Sequence, residues 1–268
     1  MFAMSLIRTA VGILLLLGSM SAWAENTPVR SYAVLSLAGD ALALHVHRHQ
    51  VGSRTESAPR EVNAIDDPVF DQAAVIAARA AFLRLHPGAK LQLMTTQDRG
   101  LYLAQNSMFE RAEAHEEDRA YLKKLLKELG VTHALVITKF RSVPELKLVN
   151  TTVGSGYLEG LGFYIDDMIE TRNLKDQTSS RGMVVPFAYL RVRLIDAETL
   201  SVLKEAMSKQ SFIITRPSAD SSGMETFLNM PSGEKTGHIR QVLEDAIAST
   251  VQNVAAEPPI SVERDRKN

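Results

Sequence analysis

The segment from Pro186 to Thr215 constrains the fold of this chain more than any other part of the sequence. Its first half alternates with a period of two, which is the pattern of a β-strand because successive side chains in a strand point to opposite faces. One face holds Ala188, Leu190, Val192 and Leu194, and the other holds Phe187, Tyr189, Arg191 and Arg193. Asp196, Ala197, Glu198 and Thr199 interrupt the pattern and residues 202–214 resume it, which predicts a β-hairpin.

The second face of this hairpin combines aromatic rings with arginines, a mixture that is too apolar and too charged for ordinary solvent surface. If the first helix or the segment 141–185 covers that face, the hairpin is a central scaffold. If nothing covers it, the face is a second candidate interface.

Residues 1–24 have the pattern of a secretory signal peptide. A single positive charge precedes an unbroken apolar run at 10–17, and Ala22-Trp23-Ala24 presents small residues at the two positions that a signal peptidase reads. A retained membrane anchor needs about 20 apolar residues, and two serines interrupt this stretch. We therefore expect cleavage after Ala24, export to the periplasm, and no transmembrane segment in the mature chain.

Composition excludes several classes of function. The chain has no cysteine, which excludes disulfides, thiol nucleophiles, cysteine metal sites and a lipid-bearing thiol. A signal-bearing chain without cysteine indicates a bacterial periplasm. With 30 basic and 31 acidic residues the charge is nearly balanced, so the chain lacks the electrostatic footprint of a protein that binds nucleic acid.

The remaining pattern predicts one α/β domain over residues 25–256, with α+β as the alternative class. We expect a single mixed β-sheet, two helices between strands, and a C-terminal amphipathic helix packed on the sheet. The predicted strands are 30–37 and 41–51, paired as a first hairpin, then 90–95 and 132–140; the predicted helices are 66–86, 109–129 and 234–256. The charged tail 257–268 is expected to be disordered.

The segment 141–185 is interpreted as a long insertion in this domain. It contains a glycine cluster at 154–162 whose flexible backbone is expected to display an apolar patch. Such a patch predicts contact with an envelope protein partner, whereas simple packing over the sheet edge is the alternative. The candidate contact residues are Tyr157, Leu158, Leu161, Phe163 and Tyr164.

Three histidines, His45, His47 and His49, alternate on the second predicted strand and therefore share one face. Histidines at this spacing are candidate ligands for zinc or copper. The alternative is a polar, solvent-facing side of an edge strand. Without a metal there, we expect no cofactor.

Catalytic motifs are missing from the sequence. The glycine cluster does not have the spacing of a dinucleotide fingerprint, and Gly154-Ser155-Gly156 does not have the spacing of a nucleophile elbow. The acids Asp166, Asp167 and Glu170 are most simply explained as the start of a helix. A hydrolase without a recognisable motif therefore stays only as a further alternative.

The hairpin sequence VRLIDAETLSVL resembles a segment shared by a group of bacterial envelope proteins. The group comprises the curli-secretion channel lipoprotein, the lipoprotein activators of penicillin-binding proteins, and the amino-terminal domain of the Tol-system propeller protein. Asp196 and Thr199 match their Asp-x-x-Thr-Gly-like turn, while Leu200 stands where the glycine would supply a positive φ, so the turn must differ or carry strain. The lipid-bearing cysteine of many relatives is missing, which argues against outer-membrane anchoring. The resemblance implies a compact α/β domain with a binding or assembly role and no catalysis.

Overall fold

The computed structural model describes residues 30–47, 60–147, 152–172, 179–214 and 222–256. The predicted signal peptide, His49 and the tail 257–268 lie outside these residues. The strands are β1 Ser31–Ser36, β2 Ala41–His47, β3 Arg60–Ala64, β4 Lys90–Met94, β5 His133–Lys139, β6 Arg141–Ser142, β7 Leu146–Lys147, β8 Thr152–Val153, β9 Leu158–Arg172, β10 Ser179–Asp196 and β11 Val202–Ser211. The helices are α1 Val69–Leu85, α2 Arg99–Ala104, α3 Ser107–Glu110, α4 Glu116–Glu128, α5 Gly223–Asn229 and α6 Ser232–Ala255.

The long strand β10 is the central strand of a mixed sheet and pairs with three other strands. At Tyr189 its neighbours are β9 and β11, and at the next residue, Leu190, they are β5 and β11. Strand β11 therefore runs along one side of β10, while β9 and β5 follow one another along the other side. The predicted hairpin is confirmed as β10 and β11, which pair antiparallel.

Strands β1 and β2 lie end to end rather than side by side. Strand β1 runs parallel to β5 and β2 runs parallel to β9, and both of those partners are antiparallel to β10. The predicted first hairpin is therefore wrong. Its two strands lie one after the other along β5 and β9. Between them, the Leu37 N–H continues the pairing with β5 by donating a hydrogen bond to the Ile137 carbonyl at 2.9 Å.

Helices α1 and α6 cover one face of the sheet. The alanines Ala74, Ala78 and Ala81 are buried on α1, and small side chains permit a short distance between helix and sheet. Helix α6 buries the stripe that its apolar spacing predicts: Ile239, Val242, Leu243, Ala246, Ile247, Val251 and Val254. The mixed α/β class with a C-terminal helix on the sheet is thus confirmed.

Two helices and a small hairpin cover the opposite face. Helices α2 and α4 pack Leu101 and Leu122 into a cluster with Leu35 of β1 and Val136 of β5. Around β9 and β10, Leu146 of the small β7–β8 hairpin joins a second cluster. The aromatic residues Phe187 and Tyr189 are buried there, so β10 is a central strand whose aromatic face is covered.

The interpretation of residues 141–185 as an insertion is wrong. Their described part supplies β6 to β9 and the beginning of β10, and β9 lies between β2 and β10. Glycine in this strand serves close backbone approach, since a Cβ at Gly162 would lie 2.0 Å from the Ala43 carbonyl oxygen. Gly160 and Gly162 are therefore part of the sheet interior, whereas Gly154 and Gly156 precede the strand and are exposed.

Candidate functional site

Most of the predicted partner-contact residues belong to the core. Leu158, Leu161, Phe163 and Tyr164 are all buried, because β9 is an interior strand with both faces covered. These four side chains cannot reach a partner, so that part of the predicted contact is corrected. Tyr157 is exposed, and the Arg141 guanidinium lies over its ring at 5.0 Å from the centroid. Only this tyrosine of the five remains on the surface.

The two described histidines of the predicted metal site have different environments. His45 is buried against Phe187, with ring centroids 5.8 Å apart, and its Nε2 has no hydrogen-bond partner among the described residues. Burial, followed by the positive charge of Arg60, lowers the pKa of His45 to about 4. The neutral imidazole that a metal requires is therefore the stable form at neutral pH.

His47 is held by a carboxylate. Its Nδ1 lies 3.0 Å from Oδ2 of the buried Asp166, whose other oxygen accepts a hydrogen bond from the Met168 N–H at 2.8 Å. Asp166 lies in β9, so the expected helix start at this position is wrong. Within the described ranges, no group of three or more histidine, cysteine or acidic side chains is close enough to hold a metal ion.

A break in the outer row of the sheet creates a site that sequence reasoning missed. Strand β4 pairs with β1 only as far as Leu35, and β3 pairs with β2 only as far as Ala41. Beyond Ala41 there is one further hydrogen bond, from the Ile65 N–H to the Asp40 carbonyl. The backbone between these points, at Ala38 and Gly39, has no outer strand beside it. Its N–H groups consequently need another acceptor.

Asp71 of α1 supplies that acceptor. Its Oδ1 accepts hydrogen bonds from Ala38 N at 3.1 Å, Gly39 N at 3.0 Å and Ser36 Oγ at 2.5 Å. Glycine is needed at position 39 because a Cβ there would lie 2.7 Å from the backbone nitrogen of Asp71. Burial raises the pKa of the Asp71 carboxyl above its ordinary value, although these hydrogen bonds act in the opposite direction.

A cleft of about 600 Å³ opens beside this carboxyl group, and we call it the Asp71 cleft. Tyr102 of α2 lies in its wall, and its hydroxyl is 2.7 Å from Asp71 Oδ2. The lining residues come from three separate parts of the chain: Gly39, Asp40 and Ala41; Val62, Ala64, Ile65, Asp66, Pro68 and Asp71; Thr96, Gln97, Arg99, Tyr102 and Leu103. No short motif marks such a site in sequence.

A second concave surface lies beside β11. Arg193, which is buried, forms its floor: the guanidinium stacks over Phe109 at 5.0 Å and donates to Asn106 Oδ1 at 3.0 Å. The groove has a volume of about 550 Å³ and also involves Glu110 and Glu205, which both pair with Arg193. Along its rim, strand β11 exposes the large apolar residues Val202, Leu203 and Met207.

None of the helices that the structure describes is long and apolar enough to cross a membrane. No protein-family model matches the chain, and no curated protein matches it.

Solved structures similar to this chain include three bacterial proteins. The PelC dodecamer from Paraburkholderia phytofirmans is 10% identical, with a TM-score of 0.31 over 85% of this chain and 89% of that one. Lipoprotein GNA1162 from Neisseria meningitidis is 13% identical, with a TM-score of 0.26 over 74% and 92%. The LpoB C-terminal domain from Salmonella enterica is 12% identical, with a TM-score of 0.24 over 76% and 93%. With such identities and scores, these matches carry no inference about family or function.

Proposed function

We propose that this chain is an exported, non-catalytic binding or assembly protein of the bacterial cell envelope, and that its partner adds an extended segment to β11. The observation that carries the proposal is the exposure of three large apolar side chains on this strand, Val202, Leu203 and Met207. Within the described residues β11 pairs only with β10, so its outer backbone edge is open. Open edges are usually protected by charge, proline or a covering element, because they pair readily with other chains.

The side chains of β11 divide into a covered face and a free face. Ala206 pairs with Val192, which belongs to the core under α1 and α6. Met207 pairs with Arg191, on the opposite face, and is 48% exposed. Leu203, which the pairing register skips between Val202 and Lys204, is 49% exposed. A partner strand would gain main-chain hydrogen bonds from the edge and apolar contact from these two side chains.

Crosslinking in cells tests this assignment. A photoreactive amino acid at Leu203 or Met207 should give a specific adduct with an envelope protein. The same amino acid at Ile76, which is 61% exposed on α1, is the matched control. A photoreactive amino acid at Tyr157 tests the one residue of the predicted contact that is on the surface. Adducts from Ile76 as strong as those from β11 would contradict the assignment.

Export is tested separately from the partner. The full chain should be recovered in the periplasmic fraction with Glu25 as its first residue, and a chain that lacks residues 1–24 should stay in the cytoplasm. Recovery of the full chain in the cytoplasm with an intact amino terminus would contradict export.

A second candidate function is periplasmic metal binding by His45, His47 and His49. It is favoured by the His47–Asp166 contact, since a carboxylate on one ring nitrogen orients the other towards a metal. The Nε2 of His45, which is buried and has no hydrogen-bond partner among the described residues, is the second candidate ligand atom. Titration of the mature protein with zinc and copper should show binding that His45→Ala/His47→Ala removes and that His115→Ala, the control, retains. Binding unchanged in the double variant would exclude this function.

A further inference from the structure

The Asp71 cleft has the size of a small-molecule site. Its volume of about 600 Å³ lies within the range of about 300 to 1,000 Å³ that is typical of ligand pockets. It adjoins the carboxyl ends of the parallel strands β1 and β4, and ligands in α/β proteins commonly bind outside the carboxyl ends of parallel strands. Its position is therefore that of a binding crevice.

Apolar side chains in the wall of the cleft are unusually open to solvent. Leu103 of α2 is 77% exposed and Val62 of β3 is 52% exposed. Ile65 and Pro68 add further apolar surface beside them. A ligand with an apolar body would remove this surface from water, which is favourable in proportion to the area covered.

The charges around the cleft divide into satisfied and unsatisfied groups. Asp40 pairs with Lys139, and the Asp71 carboxyl group is surrounded by four hydrogen-bond partners. Asp66 and Arg99, by contrast, have no ion pair or side-chain hydrogen bond within the described part of the chain. The cleft thus presents one available carboxylate and one available guanidinium.

We propose that the Asp71 cleft binds a small zwitterion with an apolar body, of the size of an amino acid or dipeptide. The ammonium group of the ligand binds Asp66, and its carboxylate binds Arg99, whose planar fork suits a carboxylate. The apolar side chains of the ligand cover Val62 and Leu103. This site is separate from the edge of β11, and the proposal does not depend on the partner proposed there.

Calorimetric titration of the mature protein with L-leucyl-L-leucine tests the proposal. The dipeptide should bind, whereas its N-acetyl and C-terminal amide derivatives, which each lack one charge, should bind at least about ten-fold more weakly. Asp66→Asn and Arg99→Gln should each weaken binding of the free dipeptide to a similar extent. Asp67→Asn and Arg84→Gln are matched controls, since both residues are exposed and outside the cleft, and should bind as the wild type does.

Three results would overturn the proposal. They are no binding of the free dipeptide to the wild-type protein, equal binding of the free and blocked dipeptides, and binding that neither Asp66→Asn nor Arg99→Gln weakens. The comparison of ligands uses only the wild-type protein, so it decides the question even if a variant folds poorly.

Discussion

The Tyr102 hydroxyl lies 2.7 Å from Oδ2 of Asp71, and its other close neighbour is also an acceptor, the Thr96 carbonyl oxygen at 3.0 Å. One hydroxyl proton cannot serve both acceptors well. A protonated Asp71 resolves this conflict, since its Oδ2 then donates to the hydroxyl while the hydroxyl donates to Thr96. The raised pKa of Asp71 favours the same protonation state.

The first prediction concerns the pH dependence of stability. The folded protein holds a proton on Asp71 at pH values where the unfolded chain, with the ordinary pKa of 3.8, has lost it. The free energy of unfolding should therefore fall as pH rises from about 3.8 through the raised folded pKa. In Asp71→Asn, which cannot ionise, this part of the fall should disappear.

Urea unfolding of the wild type and of Asp71→Asn, measured from pH 4 to pH 8, checks this prediction. The variant should lose stability less steeply with rising pH than the wild type does. Parallel curves would show that Asp71 does not change its protonation on unfolding.

The second prediction concerns the turn between β10 and β11. Leu200 has φ of 57°, in the left-handed region that costs a non-glycine residue roughly 1 to 2 kcal/mol. The strain is tolerated because the side chain is only 2% exposed and packs with Ile195 and Ala197. Asp196 fixes the turn by accepting from Thr199 N and Thr199 Oγ1, both at 2.8 Å.

Leu200→Ala should lower the free energy of unfolding by about 2 to 4 kcal/mol, because it removes buried surface and keeps the strain. Leu200→Gly also removes the side chain but relieves the strain, so it should be more stable than the alanine variant by about 1 kcal/mol. Chemical unfolding of the three proteins gives the order. An alanine variant as stable as the glycine variant would contradict the strain at this turn.

The third prediction concerns glycine inside the sheet. Gly162→Ala should be severely destabilising, by about 3 kcal/mol or more, because the added Cβ overlaps the Ala43 carbonyl group in a packed interior. Gly237→Ala is the matched control. It adds the same methyl group to helix α6, where nothing lies within 4 Å, and should raise stability by about 1 kcal/mol. Thermal unfolding distinguishes the two, and similar shifts in both variants would contradict close packing at Gly162.

Local patterns predicted the elements whose side chains carry a clear period. The alternation around Leu190 predicted the central hairpin, and the spacing of Ile239 and Val242 predicted the C-terminal helix. The break after β1 could not be predicted, because Gly39 and Asp40 look like a turn in sequence. The side chain of Asp71, which accepts hydrogen bonds from the Ala38 and Gly39 N–H groups, explains why the chain passes from β1 to β2 without turning back.

The candidate sites were harder to predict for a related reason. In β9, Gly160 and Gly162 remove two successive side chains from one face and so hide the strand period, and Phe163 and Tyr164 therefore appeared to lie in a displayed loop. The need for Gly162 arises from Ala43, which is distant in sequence. The Asp71 cleft joins three distant segments, and no pattern within one segment indicates it.

The open edge of β11 is proposed to bind an envelope partner. The most direct test is the yield of the crosslinked complex from a photoreactive amino acid at Val202, in the wild-type background and in Leu203→Lys/Met207→Lys. Charges on an edge strand disfavour strand addition without disturbing exposed positions of the fold. We expect a specific adduct in the wild-type background that is lost in the double variant, while the unfolding free energy of the double variant stays within about 1 kcal/mol of the wild type. An adduct of equal yield in both backgrounds, or no adduct in either, would contradict it.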